Sequence, residues 1–184
     1  EGIAVSSYYY LAASLPLLRI DEHGPCSDAE FMALCARHLS RSDYAILAKA
    51  DLDARCTTAP HRFLAAWNSF RKAVGVLLVE ERARRLKLDS EHYKSGSMHD
   101  GESAEVVRSV LTAEHPLQAE SLLLEACWNK IESLAVNHTF DIVFLLAYRL
   151  KLQILERKDL FTPLEGNAEF KRLFSNLQMN IKSL

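Results

Sequence analysis

The sequence predicts an all-α protein, built as an antiparallel helical bundle that forms either one body or two helical subdomains. Apolar residues recur at steps of three and four along most of the 184-residue chain, which is the spacing of one helix face. Glycine and proline are few, at six and five residues, and the prolines stand where predicted helices begin or end. Hydrophobic residues make up 49% and charged residues 25%, as in ordinary globular proteins.

The segment at 139–159 is predicted to be the central helix of the bundle. Its apolar residues fall on two adjacent faces, Val143, Ala147, Leu150 and Ile154 on one and Ile142, Leu145 and Leu152 on the other. A helix that is apolar on two faces needs neighbours on both. Thr139 is the predicted N-cap. For Arg149, which interrupts the second face, we favour a structural role as a buried arginine that pairs two helices, over contact with a partner.

Local signals place four elements in the first half of the chain. The segment SSYYYLAASLPLLRI is compatible with a helix or a strand, and Pro16 would end either. Ser27 and Glu30 form a capping box for a helix at 27–39, and a short helix follows at about 43–52. The longest helix is predicted at about 60–88, where one seam is formed by Phe63, Trp67, Phe70, Val74 and Leu77.

The segment DSEHYKSGSMHDG loses helical periodicity and predicts a flexible linker at 89–102. It separates an N-terminal helical half, 1–88, from a C-terminal half, 103–184, that packs on the first. In the second half, helices are predicted at 103–115, 116–137 and about 162–181 around the central one. The inner stripe of the helix that begins at Pro116 is predicted to contain Leu117, Ser121, Leu124, Trp128, Ile131 and Ala135.

Charge and hydropathy exclude several classes of protein. A net charge of -2 gives no general attraction to nucleic acid or anionic lipid. The longest apolar runs are far shorter than the roughly 20 residues that span a bilayer, so we expect no direct membrane insertion. Four cysteines without a CxxC pair indicate free thiols in a reducing compartment. No signal peptide is recognisable, and the expected location is cytoplasmic.

A zinc site is the one metal alternative that the spacing offers. His23 and Cys26 are three residues apart, as are Cys35 and His38, which resembles a two-cysteine, two-histidine ligand set. The competing interpretation, which we favour, places Cys35 and His38 on an amphipathic helix and makes Cys26 a loop thiol. The chain contains no phosphate-binding loop, nucleophile elbow or HExxH motif. We therefore expect neither an enzyme nor a bound cofactor.

Two clusters are candidate surfaces for a protein partner. Three consecutive tyrosines point in three directions on a helix, so at least one is exposed or meets a partner. The basic run at 82–87 could bind phosphate or nucleic acid, but we favour a solvated face with pairs from Glu80 to Arg84 and from Glu81 to Arg85. A patch for an acidic protein surface is the other alternative. The candidate partner contacts are Tyr8, Tyr9, Tyr10, Arg82, Arg84, Arg85 and Arg149.

Two segments, YYYLAASLPLL at 8–18 and AYRLKLQILERKDLF at 147–161, resemble a small bacterial family usually encoded among the genes of V-type ATPases. That family looks like a shortened counterpart of the C subunit of rotary ATPases, an all-helical funnel of three similar domains, of which this chain has room for about half. The resemblance covers roughly the first twenty and last forty-five residues. The matching pattern of the second segment is Tyr148, Arg149, Lys151, Glu156 and Arg157.

The resemblance implies a non-catalytic accessory or central-stalk component that couples ATP hydrolysis or synthesis to ion transport. Its partners would be the V-type ATPase stalk and membrane-ring subunits, which would hold it at the membrane periphery. It could self-associate when isolated, because its contact surfaces would then lack their partner. The alternatives are a helical adaptor with another partner, or the small zinc-binding protein described above.

Overall fold

A computed structural model describes residues 2–54, 59–87 and 101–161, with side chains from Tyr8 onward. These residues form helices and no strand, which confirms the all-α class. The helices are α1 (Gly2–Ser14), α2 (Asp28–His38), α3 (Arg41–Leu47), α4 (Arg62–Arg85), α5 (Gly101–Leu111), α6 (Pro116–Leu134) and α7 (Ile142–Asp159). The predicted helix at 162–181 and Cys56 lie outside the described residues.

The last described helix, α7, lies at the centre of the fold. It packs against α1, α2, α3, α4 and α6. Its buried residues come from both predicted faces and from the positions between them: Val143, Leu145, Leu146, Ala147, Tyr148, Leu150, Leu152, Ile154 and Leu155. The predicted cap at Thr139 is wrong, because the carboxylate of Asp141 accepts the Phe144 amide at 3.1 Å. An ionised carboxylate also suits the positive end of the helix dipole better than a hydroxyl does.

Caps explain where the helices of the first half begin. The Ser27–Glu30 box is present in both directions, with the Ser27 amide donating to Glu30 at 2.9 Å and the Glu30 amide donating to Ser27 at 3.2 Å. Ser40 accepts the Asp43 amide at 3.1 Å and starts α3. That helix ends at Leu47, short of the predicted boundary. The Leu47 carbonyl accepts from the Ala50 amide at 3.0 Å, in a turn, and from Arg149 at 2.7 Å. The N-terminal segment before Pro16, for which the sequence permits a helix or a strand, forms the helix α1.

The predicted face of α4 is buried from its first turn to Val74, with Leu77 half-buried, whereas the predicted face of α6 is wrong at its N-terminal end. Phe63, Trp67, Phe70 and Val74 are buried in α4, as are Leu124, Trp128 and Ile131 in α6. Two members of the predicted α6 stripe, Leu117 and Ser121, are exposed. They belong to the first turns of α6, whose burial begins only at Leu124. Cys127 completes the buried face there.

The two predicted halves share one hydrophobic core. Among the described residues, one buried cluster includes Phe31 and Trp67 from the first half and Trp128 and Leu150 from the second. Residues 89–100 of the predicted linker lie outside the described residues, and its last two residues, 101 and 102, belong to α5. An amphipathic pattern that starts with Gly101 and Glu102 is still helical, although glycine weakens the signal in the sequence.

Candidate functional site

The guanidinium of Arg149 joins three helices inside the fold. Its Nε and Nη2 atoms donate to the two carboxylate oxygens of Asp28, each at 2.8 Å, and Nη1 donates to the Leu47 carbonyl at 2.7 Å. The side chains of Arg149 and Asp28 are only 12% and 22% exposed. A bidentate pair in such a setting is a strong, directional contact. Arg149 is therefore a structural residue, and its place among the candidate partner contacts is corrected.

Other polar residues of α7 bind the backbone of the connections that surround it. Gln153 accepts the Leu52 amide at 2.8 Å and donates to the Ala50 carbonyl at 3.2 Å. Glu156 accepts the Asp28 amide at 2.6 Å, and the Tyr148 hydroxyl donates to the Pro16 carbonyl at 3.1 Å. These bonds satisfy backbone groups that no helix satisfies. One face of α7 thus fixes the path of the N-terminal chain.

The remaining polar residues of the 147–161 segment also have partners inside the chain. Arg157 binds Glu120 at 2.7 Å and Asp53 at 3.1 Å. Lys151 binds Glu132 at 2.9 Å, and its ammonium lies 4.6 Å from the centre of the Trp128 ring. The pattern that carries the resemblance consists of residues that determine the fold.

The structure does not bring the four proposed zinc ligands together. Among the described residues, no group of three or more histidine, cysteine, aspartate or glutamate side chains is placed to hold a metal ion. Nδ1 of His23 lies 2.7 Å from Asp159 at the end of α7, His38 is exposed, and Cys35 is buried in the core. The predicted zinc alternative is therefore wrong, because both histidines lie at the surface whereas Cys35 lies in the core.

Because the Cys35 thiol is buried, the free energy of unfolding should fall as the pH rises into the alkaline range. Desolvation raises the pKa of this thiol to about 12, with a smaller opposing effect from Arg149. An unfolded cysteine ionises near pH 8.5, so its full contribution is present below that pH and is lost up to about pH 12. We expect the free energy of unfolding to fall by up to about 1.4 kcal/mol per pH unit from this thiol.

Denaturation in urea at pH 8.5 and pH 9.5 measures this slope. Tyr8 and Tyr148, whose pKa values are also raised, begin to contribute to the slope near the upper pH, so the slope is compared with that of a control that keeps them. The control is Cys35→Ala, which loses the thiol but keeps Cys26 and Cys127. The variant should show a shallower slope whatever its stability at neutral pH. Equal slopes in both proteins would refute the assignment.

The basic end of α4 is partly neutralised by its own helix. Arg82, Arg84 and Arg85 are exposed, whereas Ala83 between them is buried. Glu81 binds Arg84 at 2.5 Å and Arg85 at 3.6 Å, so the predicted pair between Glu81 and Arg85 is confirmed. The hydrogen bond from Arg84 is the main reason why the pKa of Glu81 is lowered. Arg85 also donates to the Leu111 carbonyl at 3.3 Å, which holds it toward α5.

The three tyrosines have different surroundings. Tyr8 is half-buried, and both burial and its hydrogen bond with Asp43 raise the pKa of its hydroxyl. Tyr9 and Tyr10 are 51% and 71% exposed and meet edge-to-face, with 5.8 Å between ring centres. Tyr9 also contacts Phe140, 46% exposed, at 4.8 Å. We call Tyr9, Tyr10 and Phe140 the aromatic patch.

Sequence reasoning found two members of the aromatic patch and missed the third. Phe140 precedes the N-cap of α7, the position at which an apolar residue often packs against the first turns of its own helix. Here its ring contacts Tyr9 of α1 instead. An apolar residue before a helix cap was the available signal, but nothing local indicated that α1 would lie beside it.

Comparisons with protein-family models, with curated proteins and with solved structures each give no match to this chain. Among the described helices, none combines the length and the apolar character that crossing a membrane requires. The function has therefore to be inferred from the geometry and from the resemblance of the two segments.

Proposed function

We propose that the chain is a non-catalytic component of a V-type rotary ATPase, similar to the C subunit and held at the membrane periphery by protein contacts. In this role it couples ATP hydrolysis or synthesis to ion transport as a stiff connecting part. The observation that supports it best is that the two segments of the resemblance lie against each other, with the Tyr148 hydroxyl bound to the Pro16 carbonyl at 3.1 Å.

This contact matters because the two segments are far apart in sequence. If the resemblance to the family arose by chance, the two segments would have no reason to be in contact in the folded chain. Arg149, Glu156 and Arg157 are likewise engaged with other parts of the chain. The shared pattern is consistent with a shared helical body, in which one helix fixes the path of the N-terminal segment.

The aromatic patch is the surface that we assign to a partner. A group of exposed aromatic rings in mutual contact forms an apolar patch on the protein surface, and such patches often mark binding sites. Aromatic residues are also enriched in protein–protein interfaces. Tyr9 and Tyr10 lie within the first segment of the resemblance, yet neither is needed to fill the core. A helical adaptor with a different partner would use the same surface, so partner identity separates the two functions.

A pull-down from the native organism, read by mass spectrometry, tests both the partner and the patch. With the unaltered chain as bait, we expect to recover V-type stalk and ring subunits. The variant Tyr9→Ala with Tyr10→Ala should lower recovery at least tenfold, because tyrosine is enriched among interface hot spots, each of which contributes about 2 kcal/mol or more.

Val79→Ala is the matched control, since Val79 is 45% exposed on α4 and lies outside the patch. Its recovery should equal that of the unaltered chain, and circular dichroism should show equal helicity in all three proteins. Failure to recover any ATPase component from an extract with intact ATPase would overturn the ATPase assignment. Recovery of those components by the tyrosine variant at full yield would overturn the patch alone.

A further inference from the structure

A cleft of about 580 Å³ lies where the N-termini of α4 and α7 meet the C-terminal end of α6. Its charged and titratable lining residues are His61, Arg62, His138 and Asp141. Each of the two histidines is bonded to the start of a different helix. The charge state of the cleft therefore acts on two helix N-termini at once.

His61 caps α4 through a ring nitrogen. Its Nδ1 accepts the Phe63 amide at 3.1 Å, which requires that Nδ1 carry no proton. A proton on Nδ1 would remove the acceptor. It would also place a positive charge at the positive end of the helix dipole, beside Arg62. Protonation of His61 therefore opposes its cap.

His138 acts in the opposite direction on α7. Its Nδ1 contacts one carboxylate oxygen of Asp141, while the other oxygen accepts the Phe144 amide at 3.1 Å. A protonated His138 would form an ion pair that holds this carboxylate in its capping position. Protonation thus supports the α7 cap.

The other charged and titratable groups around His138 and Asp141 do not reverse the stabilising effect of a proton on the α7 cap. His138 also borders a second cavity of about 410 Å³, together with Glu132 and Lys151, which bind each other at 2.9 Å. Tyr8 approaches Asp141 from α1 and stays neutral at physiological pH, because burial and Asp43 raise its pKa.

We propose that this cleft is a proton-sensitive device that releases the N-terminus of α4 and tightens that of α7 as pH falls. Imidazole is the side chain that proteins most often use to sense pH, and here one imidazole contacts each cap. At neutral pH both caps are made. Under mild acid the α4 cap is lost while the α7 cap is kept. The proposal does not depend on the ATPase assignment.

Amide hydrogen exchange of the whole chain at pH 7.5 and pH 5.5 tests the proposal, after correction for the intrinsic pH dependence of exchange. The readouts are the Phe63 and Phe144 amides, the two capped donors. We expect Phe63 protection to fall about fivefold at pH 5.5, as the usual strength of a helix cap implies. Phe144 protection should hold or rise.

Two variants assign the effect to the ring. His61→Asn keeps a capping side chain that does not titrate, so its Phe63 protection should not change with pH; His61→Asp serves the same purpose if the first variant folds poorly. His115→Asn is the matched control, because His115 caps α6 through the same kind of bond, with the Gln118 amide at 3.1 Å. It should behave as the unaltered chain at Phe63. Equal Phe63 protection at both pH values in the unaltered chain, or a fall that persists in His61→Asn, would overturn the proposal.

Discussion

Replacing Arg149 with methionine is expected to lower the free energy of unfolding by about 3 kcal/mol, the lower part of the range for broken buried ion pairs. Methionine fills most of the volume but removes all three hydrogen bonds. The Asp28 carboxylate, 22% exposed, would lose both of its arginine donors, and the Leu47 carbonyl would lose the Arg149 donor. The loss is large mainly because the Asp28 carboxylate stays in a partly buried place without its arginine, whereas the Leu47 carbonyl keeps the Ala50 amide as a donor. Urea denaturation followed by circular dichroism measures it.

A double-mutant cycle separates the ion pair from the rest of the loss. Asp28→Asn keeps the size of the side chain and removes its charge. If the pair is the main contribution, the double variant Arg149→Met with Asp28→Asn should be clearly more stable than the sum of the two single losses predicts. Arg149→Lys retains the charge but cannot make the two parallel bonds, and should lie between the unaltered chain and Arg149→Met. Strict additivity would show that Arg149 acts mainly through Leu47 and packing.

Features of the fold that depend on neighbouring residues could be predicted from the sequence. The Ser27–Glu30 box and the apolar seam of α4 are local, because their residues lie three or four positions apart. The caps at His61 and His115 were missed, since serine, threonine, aspartate and asparagine are the usual residues there. An imidazole nitrogen can accept the same amide proton, but composition alone does not reveal it.

The candidate site is formed by contacts between residues that are far apart in the sequence. Such contacts could not be predicted from local sequence patterns. Arg149 could be identified as unusual on an apolar face, but its partner Asp28 is 121 positions away. The same applies to Phe140 and Tyr9, which meet only because α1 packs beside the start of α7. A tyrosine run indicates exposure for at least one ring, whereas the identity of that ring depends on the packing angle of its helix.

Replacing Trp67 with alanine should lower the free energy of unfolding by about 3–5 kcal/mol, as for other large aromatic residues in protein cores. Trp67 is fully buried and packs against Phe70 at 6.0 Å between ring centres. Its indole N–H also donates to the Asp51 carbonyl at 3.0 Å. The variant would leave a cavity and remove a donor from the backbone of the connection after α3. Circular dichroism is the suitable probe, because fluorescence would lose one of the two tryptophans.

Trp67→Phe distinguishes volume from hydrogen bonding. Phenylalanine keeps most of the apolar contact but cannot donate to Asp51, so we expect a loss of roughly 1–2 kcal/mol, well below that of alanine. Two other hydrogen bonds hold the connection at 50–53. Arg71 donates to the Leu52 carbonyl at 3.0 Å, and the Leu52 amide donates to Gln153 at 2.8 Å. These should hold the connection in place when the indole bond is absent. A loss in Trp67→Phe as large as that in Trp67→Ala would mean that this bond, and not the filled core, is what Trp67 mainly contributes.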